Sequence, residues 1–183
     1  MTELSSDLIV GAPADQVWQV IGPGFDRIGE WATAIPSSTA ILPARAATDA
    51  VDGLRLPVAA AIHAPVAGRV CRTGIRLVPE VTETLIEYDD ASRSLTYQAS
   101  GMPRFVTLAR NTWTVTPIDA RRSRVSLRAR FETRGLLGLL GRWAILAQAR
   151  RTSRHLGEDL RHYVETGSPS SRKQRQQRWA EPR

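Results

Sequence analysis

SRVSLRARFET at residues 123–133 runs directly into RGLLGLLGRWAILAQARRTSRHLGEDLRHYVETG at 134–167. In the first piece Val125, Leu127, Ala129 and Phe131 alternate with Ser126, Arg128, Arg130 and Glu132. That period of two gives a strand one apolar face and one wet face. In the second piece Leu139, Trp143, Leu146, Ser153, Leu156, Leu160 and Tyr163 recur at helical spacing, which predicts a long terminal helix with a single apolar stripe. An apolar strand face and an apolar helix stripe must each be covered. The run Gly135–Gly141 is too short to span a bilayer, because Arg142 interrupts it well before the ~18–20 apolar residues a span needs.

Working toward the N-terminus, the period of two persists through Val106–Pro117, Ser94–Ser100, Val81–Tyr88 and Arg69–Leu77. The connections Ile118–Arg121 and Asp89–Ser92 have turn composition, and Val78-Pro79 reads as an earlier reversal, so these segments form an antiparallel meander. Leu4–Val10 is a further strand, stopped at Gly11-Ala12-Pro13, where the proline opens a helix carrying Val17, Trp18 and Ile21 on one face. Gly22-Pro23-Gly24 breaks that helix, a second short one covers about Phe25–Ala34, and Ser38–Leu42 is a short strand. Residues 43–68 form a longer connection whose stretch 54–66 is too apolar for a solvated loop. It is expected to fold on the body, as a lid over a cavity mouth or as an extra edge strand.

The chain has 183 residues and a net charge of +7, a length suited to one domain, 1–166, and a short appendage, 167–183. The appendage holds five basic residues and one acid, so it carries +4 of the net charge. With so little apolar surface it is expected to be a disordered basic tail. It offers a contact to a membrane surface, against the plainer reading of a solvated terminus, and nucleic acid is the less expected partner. Cys71 is the only cysteine, which excludes an internal disulfide and a multi-cysteine metal site. Lys173 is the only lysine and lies in the tail, which argues against a P-loop and a buried Schiff base. With no apolar span and no charged-then-apolar leader in Met1–Asp7, the chain reads as soluble and cytoplasmic.

Several local stretches, taken in order, carry a resemblance. APADQVW at 12–18, Trp31, EVTETLIEYDD at 80–90 and LGEDLRHYV at 156–164 resemble the START-related, birch-pollen-allergen-like superfamily SRPBCC, in its polyketide cyclase/dehydrase-like branch. The resemblance covers most of residues 4–166. It implies an α+β helix-grip fold, in which a curved antiparallel β-sheet wraps around a long C-terminal α-helix, with two short helices after the first strand. Such a fold implies a cavity between sheet and helix. The expected function is binding or transport of a hydrophobic or aromatic small molecule there, with no cofactor. The alternative is a cofactor-independent cyclase, aromatase or dehydratase.

If Val125–Phe131 supply the inward parity, the neighbouring strand contributes Ala109, Asn111, Trp113 and Val115. Asn111 is then a polar group in apolar company, able to donate to and accept from a ligand. The expected lining is Leu85, Tyr97, Asn111, Trp113 and Phe131 from the sheet, with Trp143, Leu146 and Arg150 from the helix. Glu83 matches a position where some receptors of the superfamily place an inward glutamate, but the alternation of 81–88 leaves its face open. Pointing inward, Glu83 would accept a hydrogen bond from a ligand or act as a base, with Arg150 as its candidate partner. His63 is the other acid/base candidate. His155 and His162 lie two helical turns apart, too far to share a metal, so no metal site is expected. Monomer and homodimer stay equally open.

Overall fold

A computed structural model describes residues 2–43, 64–76 and 78–180, with the side chains of 136–146 and 180 outside the description. The chain opens with β1 (Thr2–Val10), followed by helix α1 (Ala14–Ile21), a 3-10 turn at Phe25–Arg27 and the short helix α2 (Ile28–Trp31). Strand β2 (Ser37–Ile41) precedes β3 (Gly68–Ile75), β4 (Val78–Asp89), β5 (Ser94–Ser100), β6 (Val106–Asp119) and β7 (Arg122–Thr133). Helices α3 (Gly135–Thr166) and α4 (Ser171–Ala180) end the chain. The seven strands form one antiparallel sheet in the order β1-β7-β6-β5-β4-β3-β2, so β1 and β2 are its edges. This is the expected helix-grip arrangement. Val78-Pro79 opens β4 instead of marking a reversal, and the lid or edge strand expected of 43–68 falls mostly on residues outside the description.

The parity read from β7 holds across the sheet. Val125, Leu127, Ala129, Ala109, Trp113 and Val115 are all buried, while Arg124, Arg128 and Arg130 are exposed. Helix α1 closes one end of the core through Val17, Trp18 and Ile21, and the Trp18 indole donates to Asp90 Oδ1 at 2.6 Å. The paired-acid turn after β4 thereby ties the meander to the first helix. Helix α3 contributes Leu156, Leu160 and Val164 to the same core. It ends at Gly167, whose φ of 72° is left-handed and whose N–H returns to Tyr163 O at 2.8 Å, the usual glycine stop. No helix among the described residues is long and apolar enough to cross a membrane.

The tail departs from expectation. Residues 171–180 form α4, and Lys173 is fully buried. Its ammonium donates to Ile35 O at 2.7 Å, Pro36 O at 3.2 Å and Gln176 Oε1 at 3.1 Å. Beside it the buried Asp159 carboxylate accepts from Thr33 N–H, Ser170 Oγ and Arg172 Nη2. Gln176 Nε2 also donates to Thr33 O. The expectation of disorder rested on missing apolar surface, but what holds α4 is a set of directional bonds to backbone groups left unpaired where α2 ends. Polar composition by itself does not report such partners.

Burial lowers the Lys173 pKa to about 8, and the nearby Asp159 charge offsets only part of that. The unfolded lysine keeps its proton to higher pH, so between pH ~8 and ~10.5 the unfolded chain binds more protons, and stability from this group rises with pH. Lys173→Met removes that gain and leaves the Ile35 and Pro36 carbonyls without their donor. We expect a loss of ~1–3 kcal/mol at neutral pH, with amide exchange rising first in residues 171–180. Thermal melts should show the wild type pulling further ahead of Lys173→Met from pH 7 to pH 10. A constant gap would contradict the assignment.

Candidate functional site

The site is built in the half of the sheet away from β1, where β3 and β4 place Arg69 directly opposite Glu83. Gly68 permits this approach, because a Cβ there would overlap the Glu83 carbonyl oxygen. Arg69 is 3% exposed, and its guanidinium is held on every side. Nε and Nη2 each lie 2.5 Å from Glu83 Oε2, and Nη1 donates to Phe25 O. The Phe25 ring lies 3.8 Å from the guanidinium carbon and the Tyr97 ring 5.4 Å, which adds cation–π attraction in a desolvated place. Burial works against the Arg69 charge, but Glu83 outweighs it, so its pKa is raised and it stays protonated.

Glu83 therefore points inward. The partner expected for it, Arg150, is exposed on the other side of α3, facing β1 across a groove. Arg69 takes that role because strand register puts it face to face with Glu83, while Arg150 lies on a different side of the helix from Leu156 and Leu160. The partners of Glu83 among the described residues, Arg69 and Cys71, are on Oε2, and the residue itself lines the cavity.

Glu83 and Asn111 line both lobes of an apolar cavity between the sheet and α3, of about 480 and 430 Å³, which share about half of their walls. Phe131, Ile35 and Met102 line both lobes, Phe105 and Leu156 one, and Gln148 and Thr152 of α3 face them. Asn111 sits across from Tyr97 in the β5–β6 register, and no described residue bonds its amide. Tyr97 lines one lobe; burial, reinforced by Glu83, raises its pKa, so it stays a neutral phenol. The Arg69 charge and then the Trp113 indole offset part of that rise.

Not every expected lining residue reaches the cavity. Leu85 and Trp113 are buried in the core beside Tyr97 and do not line it. Trp143 and Leu146 lie within α3 with side chains outside the description, and His63 is outside the described residues altogether. Arg69 and Cys71 were not anticipated. Cys71 faces one lobe with Sγ 3.8 Å from Glu83 Oε2, and burial followed by the Glu83 charge pushes its thiol up to about 12. At neutral pH it is a small apolar wall, not a nucleophile. Alternation puts Arg69 and Cys71 on one face of their strand, but only the register with β4 shows that this is the face of Glu83 and makes Arg69 and Glu83 a pair.

Solved structures share this architecture. The aromatase/cyclase Zhui from Streptomyces sp. R1128 superposes with a TM-score of 0.64 at 17% identity, covering 92% of this chain and 99% of its own. A START superfamily protein from Mycobacterium smegmatis gives 0.62 at 12% identity, covering 91% of this chain and 99% of its own. A point mutant of norcoclaurine synthase from Thalictrum, in complex with a transition-state analogue, gives 0.62 at 14% identity, covering 91% of this chain and 95% of its own. No curated protein matches the sequence. The family model described as polyketide cyclase / dehydrase and lipid transport matches residues 1–165, and the chain therefore belongs to that family.

Proposed function

We propose that the protein binds a hydrophobic aromatic molecule carrying a hydroxyl group, and that binding or carriage is its role. The observation that supports this most directly is the half-used Glu83 carboxylate. One oxygen is fixed by a buried arginine, and we read the other as the acceptor offered to the apolar cavity that Glu83 lines. A group fixed this way accepts a hydrogen bond without reorganising, and its worth is increased by the low-dielectric walls. Asn111 supplies a donor and an acceptor nearby, and the remaining contacts are apolar, the usual composition of a small-molecule site.

The paired probes naphthol and naphthalene test the hydroxyl preference. A hydrogen bond to a charged group contributes ~1.5–3 kcal/mol, so naphthol should bind about ten- to hundredfold more tightly. In Glu83→Gln that advantage should fall about fivefold, since a neutral acceptor replaces a charged one. Equal affinities for the two probes in the wild type would sink the reading.

A second reading, a cyclase, aromatase or dehydratase on a polyketide-like substrate, is favoured by the acceptor Glu83 and the neutral phenol Tyr97 facing one cavity. Such a pair can take and return a proton while the pocket positions the chain. Native mass spectrometry of freshly purified protein, with extraction of any bound molecule, separates the two. Carriage predicts that the molecule stays unchanged on incubation. Catalysis predicts a change in its mass or isomer that Glu83→Gln stops while the molecule remains bound.

The ion pair also makes a stability prediction that needs no ligand. Arg69→Met leaves a largely buried carboxylate uncompensated and should cost ~3–5 kcal/mol. Combining it with Glu83→Leu should recover most of that loss, because an apolar pair of similar volume replaces two desolvated charges. Additive losses in a denaturant-melt cycle would show that the two residues do not act as a pair.

A further inference from the structure

The free edge of β1 and one face of α3 enclose a second groove, of about 500 Å³, separate from the cavity and lined by Leu4, Ser5, Ser6, Asp7 and Leu8 on one side. Successive strand residues point to opposite faces, so five in a row lining one groove place it along the strand edge, not beneath one face. β1 pairs only with β7, which leaves a row of its backbone N–H and C=O groups without a strand partner among the described residues. Beyond the flanking α3 and the acids Glu3 and Asp7, the edge carries few of the usual protections. Thr2–Val10 contains no lysine, no proline and no bulge, and its register with β7 is unbroken.

The opposite wall is basic. Arg150, Arg154 and Arg161 line the groove with Gly157 between them, at spacings of four, three and four residues, a single helical face. All three arginines are exposed, and none has an acidic partner among the described residues. Of the two acids in the groove, Glu158 pairs with Arg172 at 3.0 Å, while Asp7 accepts from the neutral Ser126 Oγ at 2.6 Å and keeps its charge, which leaves three cations facing one unpaired carboxylate. Strand and helix run side by side in the same direction. A Cβ on Gly157 would touch Leu8, and Glu165 accepts from Gly11 N–H at 2.7 Å further along. The arginine stripe is ~16 Å long at 1.5 Å per residue, and the Leu4–Leu8 edge ~14 Å.

We infer that this groove docks an extended acidic segment of a partner protein, added to β1 as an eighth strand. The backbone edge supplies the ladder and α3 supplies the charge. On an added strand, side chains two residues apart lie ~7 Å from one another, close to the ~6 Å between Arg150 and Arg154 along the helix. Acids two positions apart therefore meet Arg150 and Arg154, while Arg161 lies ~10.5 Å further along the helix, between the reach of the next two alternate positions. A second copy docked edge to edge would set two arginine stripes together, so the charge favours a different, acidic partner.

The probe is a fluorescein-labelled octapeptide of alternating threonine and glutamate, titrated against the full chain by anisotropy at low salt. Saturable binding is expected. Arg150→Glu with Arg154→Glu should weaken it at least tenfold, and Arg161→Gln by a smaller factor. Arg128→Glu, on the exposed face of β7, should leave it within twofold. Methylating alternate backbone nitrogens of the peptide, in the phase that blocks the ladder, should also weaken it at least tenfold. These arginines are exposed, so circular dichroism and melting should match the wild type. The inference is overturned by absence of saturable binding, or by equal binding of peptides methylated in either phase, which would mean charge attraction alone. It is equally overturned if the double variant instead abolishes a concentration-dependent dimer or binding to phosphatidylserine vesicles.

Discussion

A buried arginine facing a glutamate across two strands constrains much of this molecule. Arg69 cannot shed its charge, so every one of its surroundings must answer it: the Glu83 carboxylate, the Phe25 carbonyl and two aromatic rings. Those answers come from β4, from the 3-10 turn ahead of α2 and from β5. The pair thus joins three separate parts of the chain around one charge. Desolvating two ions is costly and an apolar pair would pack as well, so stability does not explain its presence. What the pair adds is a carboxylate fixed in place within an apolar cavity.

The same cavity is braced from outside by polar contacts. Ile35 lines both lobes with its side chain and gives its carbonyl to Lys173. Thr33, two residues earlier, is tied through its N–H to Asp159 and through its carbonyl to Gln176. The segment following α2 is therefore gripped by α3 and α4 together, and the terminal helix is part of the cavity wall's support. A helix with no apolar face to bury can hold a position this way only when its partners are backbone groups that have lost their own ladder.

The fold was legible because it depends on periodicity. The alternation in 123–133 and the helical stripe after Gly135 indicate which faces meet, and the same parity leads to Asn111 and Phe131, which line the cavity. Where legibility failed, the missing quantity was register or direction. Parity could not distinguish Trp113, buried beneath Tyr97, from Asn111, open to the cavity two residues away. The face of Glu83 was undecidable from 81–88 because both faces carry polar residues. Arg150 was placed near the apolar stripe by spacing, yet a side chain of that length follows the helix's solvent side. Lys173 was misread for a related reason, since a hydrophobic criterion cannot see three carbonyl-type acceptors brought together from elsewhere.

Charge distribution follows from the same architecture. With one sheet face and one helix stripe committed to the core and cavity, the arginines of β7 and α3 must lie on the outer sheet face or beside the sheet edge. On the outer face, strand register supplies acids and hydroxyls, as with Arg130 and Glu3 or Ser126 and Asp7. Beside β1 the sheet ends and no further strand can bring acids to Arg150, Arg154 and Arg161. Unanswered charge and unpaired backbone therefore coincide at one edge for a topological reason: both are what remains where the sheet stops.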